Sequence, residues 1–336
     1  MICFFGDDFS VTGGVETTTY NLRKELEKQY GLKTDIFSLK KTMKTSEKFS
    51  VLPFSYRIKY FSIIAALFYL RRQGYTQIVT SYFAFNIINI LMSKVLGYKS
   101  IIQEHASSKS YTRLKLLFIT IFYRFSDEFI VLNTFDRDFY AGKYLKPRII
   151  MNCYAYEKKF LNVGERKYHL VLSRLDENKR IHLAIESWLL YKSNGGSYPL
   201  IVAGEGPCFD ELKTCFASKG VEFVGSVRNV HDYLSKARSL LVTSRLECFP
   251  TVVVEGKYVG TPTIAFNVPS GLKDLLISDK DGVLVPDSDC HFMAQAMYLL
   301  DNDNRLSEMA YSAFTSASKF DSEKSVAEYF KLFNRQ

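Results

Sequence analysis

Two glutamates eight positions apart, Glu247 and Glu255, bracket the run Cys248-Phe249-Pro250-Thr251-Val252-Val253-Val254. Pro250 suits the first turn of a helix and Gly260 its end, so Glu247 is expected in the loop ahead of that helix and Glu255 on it. Amides at Cys248, Phe249 and their neighbours would then face the same space as Glu247. Two carboxylates there suit a hydroxyl-rich partner, because each accepts hydrogen bonds from a vicinal diol. Val252–Val254 also reads as a strand, and a glutamate pair at this spacing also arises by chance. Upstream, Ser173-Arg174-Leu175-Asp176-Glu177-Asn178-Lys179 follows an apolar run. Arg174 leaves the strand end and Lys179 stands near the next helix, so both cations can converge on one diphosphate, Arg as a fork and Lys as a point charge. A solvated loop whose charges pair with Asp176 and Glu177 is the plainer alternative.

Two glycine turns share this placement after a strand. Gly13 and Gly14, in Thr12-Gly13-Gly14-Val15-Glu16, let backbone N–H groups approach an anion at the positive end of the following helix. The segment matches neither Gly-x-Gly-x-x-Gly nor the Gly-Lys-Ser/Thr phosphate loop, and a plain tight turn accounts for it too. Gly204, in Val202-Ala203-Gly204-Glu205-Gly206-Pro207, opens another such turn, which needs no ligand to explain it. His105 follows the run Ile101–Glu104, where an imidazole either holds a hydroxyl, moves a proton or bonds the adjacent loop. Four Asp-x-Asp pairs, at 136/138, 279/281, 287/289 and 301/303, are what divalent-metal sites use. Asp136 and Asp138 are expected to open a helix, where carboxylates favour the dipole, and the other three pairs to sit in polar turns, so no metal is expected.

The elements that must position these residues alternate almost from end to end. Short apolar runs at 2–5, 33–37, 77–81, 101–104, 128–132, 168–173, 200–203, 221–224, 239–243 and 263–266 read as strands. Helix-period stretches lie between them, such as Thr17–Tyr30 with Leu22, Leu26 and Tyr30 on one face. This rhythm indicates an α/β protein with parallel sheets covered by helices. It pauses over 148–160 and restarts at Tyr168. Two doubly wound Rossmann-like domains are therefore expected, residues 1–152 and 153–319, with residues 320–336 as a helix packing back towards the first. Carboxyl strand ends facing a central cleft are where such sheets bind ligands.

The chain's 336 residues fit two domains at roughly 100 to 200 residues each. Hydrophobic residues at 47% and charged residues at 24% exclude a disordered or fibrous chain. The net charge of +9 is unevenly placed: residues 1–150 carry 22 Lys/Arg against 12 Asp/Glu, leaving 22 against 23 for the rest. A basic first half points to an anionic partner, a membrane surface or a nucleic acid, unless the charge serves solubility alone. Arg57-Ile58-Lys59, Tyr60–Leu70 and Arg71-Arg72 read as a basic-flanked apolar helix, as do Arg113, Lys115 and Arg124 around Leu114–Phe125; such segments sit on anionic bilayers or simply cover the sheet. No apolar run reaches the roughly 18 residues of a spanning helix, the N-terminus lacks a signal peptide's pattern, and the six cysteines form no Cys-x-x-Cys, all of which fits the cytoplasm.

Taken in order, Gly13-Gly14-Val15-Glu16, Ser173–Lys179, Val202–Pro207, Val224-Gly225-Ser226-Val227-Arg228-Asn229 and the Glu247 to Glu255 element resemble the family 4 retaining glycosyltransferases of the two-Rossmann GT-B fold. The resemblance implies that the Gly14 backbone, Arg174 and Lys179 hold a donor diphosphate and that Glu255 takes the ribose hydroxyls. It implies further that Glu247, with amides near Phe249 and Pro250, holds the transferred sugar, that the Gly225–Asn229 turn, with Arg228, borders the base, and that His105 stands beside the donor sugar. Val268-Pro269-Ser270-Gly271-Leu272 looks like the Pro-Ser/Thr-Gly-Pro segment of bacterial surface-polysaccharide enzymes that use UDP-hexoses, with Leu272 in place of the second proline; Asn152-Cys153 stands where many members have Asn-Gly.

The expected activity is thus transfer of a hexose or N-acetylhexosamine from a UDP-sugar, with retention and without metal or further cofactor. The acceptor is a glycan, plausibly linked to a polyprenyl diphosphate and received by the first domain, with the enzyme peripheral at the inner face of the cell membrane. Fixed cations at the leaving diphosphate stabilise the charge that builds there. The alternatives are a UDP-sugar epimerase or phosphorylase of the same fold, a sugar-nucleotide-binding subunit without activity, and a basic nucleic-acid-binding protein. The last has no recognisable reading module, so no nucleic acid is expected.

Overall fold

The computed structural model describes residues 1–10, 13–43, 48–54, 59–154, 156 and 158–335. The chain divides into two compact units, residues 1–155 with 320–336 and residues 156–319. The division falls three residues beyond 152, because Cys153 and Tyr154 are buried with the first unit: Cys153 lies in its core and Tyr154 bridges Asp321.

The first unit holds a seven-stranded, wholly parallel sheet: β1 (Ile2–Asp8), β2 (Asp35–Lys40), β3 (Ser50–Val51), β4 (Gln77–Thr80), β5 (Lys99–Glu104), β6 (Glu128–Val131) and β7 (Pro147–Ile149), in the order β3-β2-β1-β4-β5-β6-β7. Side chains alternate across β1 as the pleat requires. Ile2 and Phe4 join the core beneath the helices Gly14–Tyr30 and Ser322–Phe333, while Cys3 and Phe5 join the core on the other face, beneath the helices Lys59–Arg72 and Phe83–Leu96. The terminal helix returns to this sheet through Val326, Tyr329 and Leu332. Gln77 and Lys99 donate to the carbonyls of Phe333 and Leu332 at 2.7 and 2.9 Å.

The second unit holds a six-stranded parallel sheet: β8 (Tyr168–Leu172), β9 (Leu200–Ala203), β10 (Glu222–Gly225), β11 (Ala237–Val242), β12 (Thr263–Phe266) and β13 (Gly282–Val285), ordered β10-β9-β8-β11-β12-β13. Burial on both faces explains the apolar runs read from the sequence. The three strands that did not stand out there, β3, β7 and β13, are two to four residues long. Val252–Val254 lies in a helix, Thr251–Tyr258, not a strand. In each sheet the strand order reverses once, between β1 and β4 and between β8 and β11, and such a switch point opens a crevice at the carboxyl ends.

Candidate active site

In the second unit the loops after β8 and β11 flank the switch point and are stitched together. The Asn178 side chain donates to the Leu246 carbonyl at 2.9 Å and accepts from the Leu246 amide at 3.1 Å. The Asn178 carbonyl accepts from Arg245 N–H at 2.7 Å, and Thr243 Oγ1 donates to the Lys179 carbonyl at 2.8 Å. Lys179 ends the short 3-10 turn Glu177–Lys179, capped by Asp176 at 3.2 Å. This mutual pinning brings the Lys179 ammonium to 2.5 Å from Glu247 Oε1, with both groups mostly shielded from solvent.

Arg180 completes the lock, and sequence reasoning missed it. It adopts φ 48°, left-handed for a non-glycine residue, between the 3-10 turn and the helix Ile181–Ser193. Its guanidinium donates to the carbonyls of Thr243 and Ser244 and to Ser288 Oγ, pairs with Asp287 at 2.5 Å and lies 5.3 Å from the Phe266 ring centroid. Four of the five N–H groups of this buried fork are spent, two on the backbone at 243–244 and two on the turn at 287–288. Arg174, by contrast, is 69% exposed, its Nε 3.6 Å from Asp176 Oδ2. Of the two cations expected at a diphosphate, one is paired with a carboxylate inside the site and the other is loosely paired at its surface.

The glycine turn after β9 has a structural cause. A Cβ on Gly204, at φ 136°, would lie 1.8 Å from the Ser173 carbonyl oxygen, and one on Gly206 would lie 2.3 Å from that of Leu175. These glycines let the β9 loop press against the segment that carries Arg174. Gly204 N–H also donates to the Gly225 carbonyl at 2.7 Å, so the three loops form one layer. Arg228 and Asn229 are exposed beyond Gly225, with Asn229 bonded to Asp232.

The helix Thr251–Tyr258 has Pro250 as its N-cap, without a side-chain cap, and Cys248, Phe249 and Pro250 are buried ahead of it. Gly271 N–H donates to the Cys248 carbonyl at 3.1 Å, so the Val268–Leu272 segment buttresses this loop, with Ser270 Oγ accepting from the Leu272 amide. Glu255 projects from the helix and accepts from Tyr156 Oη at 2.7 Å. Burial raises its carboxyl pKa, opposed by that hydrogen bond and by His231. Tyr156 was not singled out in the sequence; nothing in local spacing marks a residue 99 positions away as a partner.

In the first unit, His105 follows β5 with Nε2 3.3 Å from Gln103 Oε1, and burial pulls its imidazole down to about 4, leaving it neutral near pH 7. Gly13 and Gly14 open the helix Gly14–Tyr30, whose N-cap Gly13 offers no side-chain bond. The expected anion faces competition here: a Cβ on Gly13 would lie 2.4 Å from Glu16 Oε2, so the helix's own carboxylate stands over its positive end, held by the Tyr82 hydroxyl. Thr12 lies outside the described residues.

The Asp-x-Asp pairs fall largely where expected. Asp136 is in the first turn of the helix Thr134–Ala141, buried, and accepts from Ser108 N–H at 2.8 Å. The pairs 279/281 and 287/289 lie in turns, whereas Asp303 begins the helix Asp303–Ser316; each of the three pairs supplies the partner of a buried cation, Asp281 for Lys257, Asp287 for Arg180 and Asp303 for Arg238. Among the described residues no cluster of His, Cys, Asp and Glu gathers to hold a metal.

Two doubly wound parallel sheets in tandem are the architecture of the GT-B glycosyltransferases. Residues 155–315, most of the second unit, match the family model of glycosyl transferases group 1. The chain is 28% identical over 285 residues, 82% of itself and 78% of the relative, to a Campylobacter jejuni alpha-1,4-N-acetyl-D-galactosaminyltransferase acting on a diNAcBac-PP-undecaprenol glycan. It is 22% identical over 73% of each chain to the Erwinia amylovora amylovoran biosynthesis glycosyltransferase AmsD. Among solved structures it superposes on Anabaena HepE in complex with UDP-glucose at TM-score 0.83 and 15% identity, over 98% of this chain and 99% of that one. The Campylobacter and Erwinia relatives are named as transferases and not as epimerases.

Proposed function

We propose that the chain moves a hexose or N-acetylhexosamine from a UDP-sugar to a glycan acceptor, with retention and without metal, in surface-polysaccharide assembly. The observation that carries this reading is the Lys179–Glu247 pair at the switch point of the second unit. As the sugar–phosphate bond breaks, negative charge grows on the departing diphosphate and positive charge on the sugar ring. Lys179 and Arg174 meet the first, while Glu247 and the amides around Phe249 hold the sugar. The acceptor oxygen bonds to the anomeric carbon on the face the diphosphate leaves, the carbon–oxygen bond to phosphate breaks, and the acceptor's proton passes to the departing phosphate oxygen. Glu255 takes the ribose hydroxyls, Gly225 to Asn229 border the base, and the first unit receives the acceptor.

The acceptor we favour is lipid-linked, as in the Campylobacter relative's name, and taken at the cytoplasmic face of the membrane. Support comes from three helices, Lys59–Arg72, Phe83–Leu96 and Arg113–Phe122, which contain no Asp or Glu. They bury one face against the sheet and expose Phe61, Phe68, Val95, Leu114 and Leu117 on the other, beside Arg72, Lys94, Arg113 and Lys115. Arg57 and Ile58 lie outside the described residues. No helix among the described residues is long and apolar enough to cross a membrane. The test is a thermal-shift panel of nucleotide sugars followed by transfer assays on lipid-linked glycans. One UDP-sugar should raise the melting temperature and be consumed only with acceptor present, whereas acceptor-independent turnover would favour an epimerase.

A further inference from the structure

A glutamate that receives both hydroxyls of a ribose must be held in one rotamer and kept ionised, and a half-buried glutamate has neither property by itself. Tyr156 supplies both at Glu255. Its hydroxyl donates to Oε1 at 2.7 Å, which leaves Oε2 and the second lone pair of Oε1 for a diol. The phenol ring is itself seated edge-on, 5.0 Å from the His231 ring and 6.0 Å from that of Tyr258, the latter on the helix that carries Glu255. Burial and the neighbouring carboxylate push the Tyr156 hydroxyl far above its ordinary range, so it remains a donor throughout the physiological range. The chain leading away from Tyr156 is tied to the same helix, because Lys159 N–H donates to the Tyr258 carbonyl at 3.1 Å.

We propose that Tyr156, the residue that opens the second unit, is a positioning residue for the donor's ribose: it fixes the Glu255 carboxylate and thereby couples donor binding to the order of the connecting segment. The proposal rests on the assignment of Glu255 to the ribose. Linkage makes the coupling reciprocal, so a ligand that engages the seated carboxylate also steadies the seat.

The test compares wild type with Tyr156→Phe for binding of UDP and of 2′,3′-dideoxy-UDP, for donor kinetics, and for trypsin cleavage after the exposed Lys158 and Lys159. Losing one hydrogen bond to a charged group should raise the UDP Kd and the donor KM about tenfold with kcat nearly unchanged. Preference for UDP over the dideoxy form should shrink in the variant, and UDP should slow cleavage in wild type but much less in Tyr156→Phe. If the variant does not fold, wild type alone still decides: UDP should protect the two lysines and dideoxy-UDP should not. Unchanged KM and Kd, a fall in kcat alone, or equal protection by both nucleotides would overturn the proposal. Wild type that binds no uridine nucleotide would instead defeat the donor reading itself.

Discussion

Lys179 and Glu247 stand 68 positions apart in sequence, yet their charged atoms lie 2.5 Å from each other. The pair exists because Asn178 and Arg180, on either side of Lys179, bind the loop of Thr243 to Leu246 by its backbone. Neither loop can shift without breaking hydrogen bonds to the other, while the two side chains remain free to turn. A preformed pair of this kind suits charge that separates during reaction: the cation can turn to the departing phosphate while the carboxylate meets the sugar, with little reorganisation.

Arg174 and Glu255 carry different structural debts. Arg174→Ala removes a cation that is 69% exposed, so stability should stay within about 0.5 kcal/mol of wild type. Donor kcat/KM should nonetheless fall by roughly 100-fold or more, the scale of losing one preorganised charge at the leaving group. Glu255→Ala should lose a similar share of turnover and retain a cooperative melt. Near-normal donor turnover in both variants would remove the proposed site.

How much of this was legible beforehand divides along physical lines. The strands at 200–203 and 263–266 were readable to the residue, because parallel strands buried on both faces must be apolar runs. The placement of Arg174, Lys179 and Glu247 in loops after strands, and of Glu255 on a helix, was legible from the apolar runs and from Pro250. Their partners were not. Spacing cannot show that Lys179 takes Glu247 and not Glu177, nor that Tyr156 meets Glu255, because those choices are made by the loops that tertiary contacts bring together. The Asp-x-Asp pairs were legible as turn and helix-start residues but not as ion-pair partners, since the buried lysine that Asp281 meets lies 24 positions away.

A pH signature should come from the first unit. Glu104 is buried beside β6 and accepts from Tyr111, Tyr123 and Asn86, and burial pushes its carboxyl from an ordinary 4.5 up to about 7, against those hydrogen bonds. Between about pH 4.5 and 7 the folded chain therefore keeps a proton that the unfolded chain releases. Its contribution to stability is full below that window, falls as pH rises through it and is level above. Glu104→Gln stays neutral throughout. Its stability relative to wild type should rise from pH 5 to pH 7.5 by on the order of 2 kcal/mol, read by urea denaturation. His105 and His169, which burial holds neutral, act with the opposite sign but are present in both proteins and cancel. A difference that does not vary with pH would show that Glu104 is ionised across the range.

Membrane attachment separates into two measurable parts. Sedimentation with vesicles containing anionic lipid should capture the protein, vesicles of neutral lipid should capture much less, and added salt should weaken the first, because the cations act within a Debye length of the surface. Phe61→Glu and Leu117→Glu place a charge on the exposed apolar faces and should reduce capture while leaving turnover of a water-soluble acceptor intact. Equal capture by both lipids would leave the basic helices without a membrane role.

Lys257 and Asp281 form the most deeply buried ion pair near the site, at 2.6 Å with both side chains almost wholly shielded. Lys257 also donates to Ser316 Oγ at 2.9 Å, and Asp281 accepts from Ile277 N–H at 2.8 Å, so the pair ties the helix Thr251–Tyr258 to the turn before β13. Desolvation lowers the lysine's pKa, and Asp281 opposes that shift without cancelling it. Asp281→Ala would leave an ammonium buried without its counter-charge and should cost about 3–5 kcal/mol, whereas Lys257→Met with Asp281→Leu removes both charges and should recover much of that loss. The helix also carries Glu255 two residues earlier, so the single variant should raise donor KM at temperatures where it is still folded. Denaturation of the two variants and wild type checks the stability order. A double variant as unstable as the single one would mean that the hydrogen bonds to Ser316 and Ile277, not the pairing of charges, secure this helix.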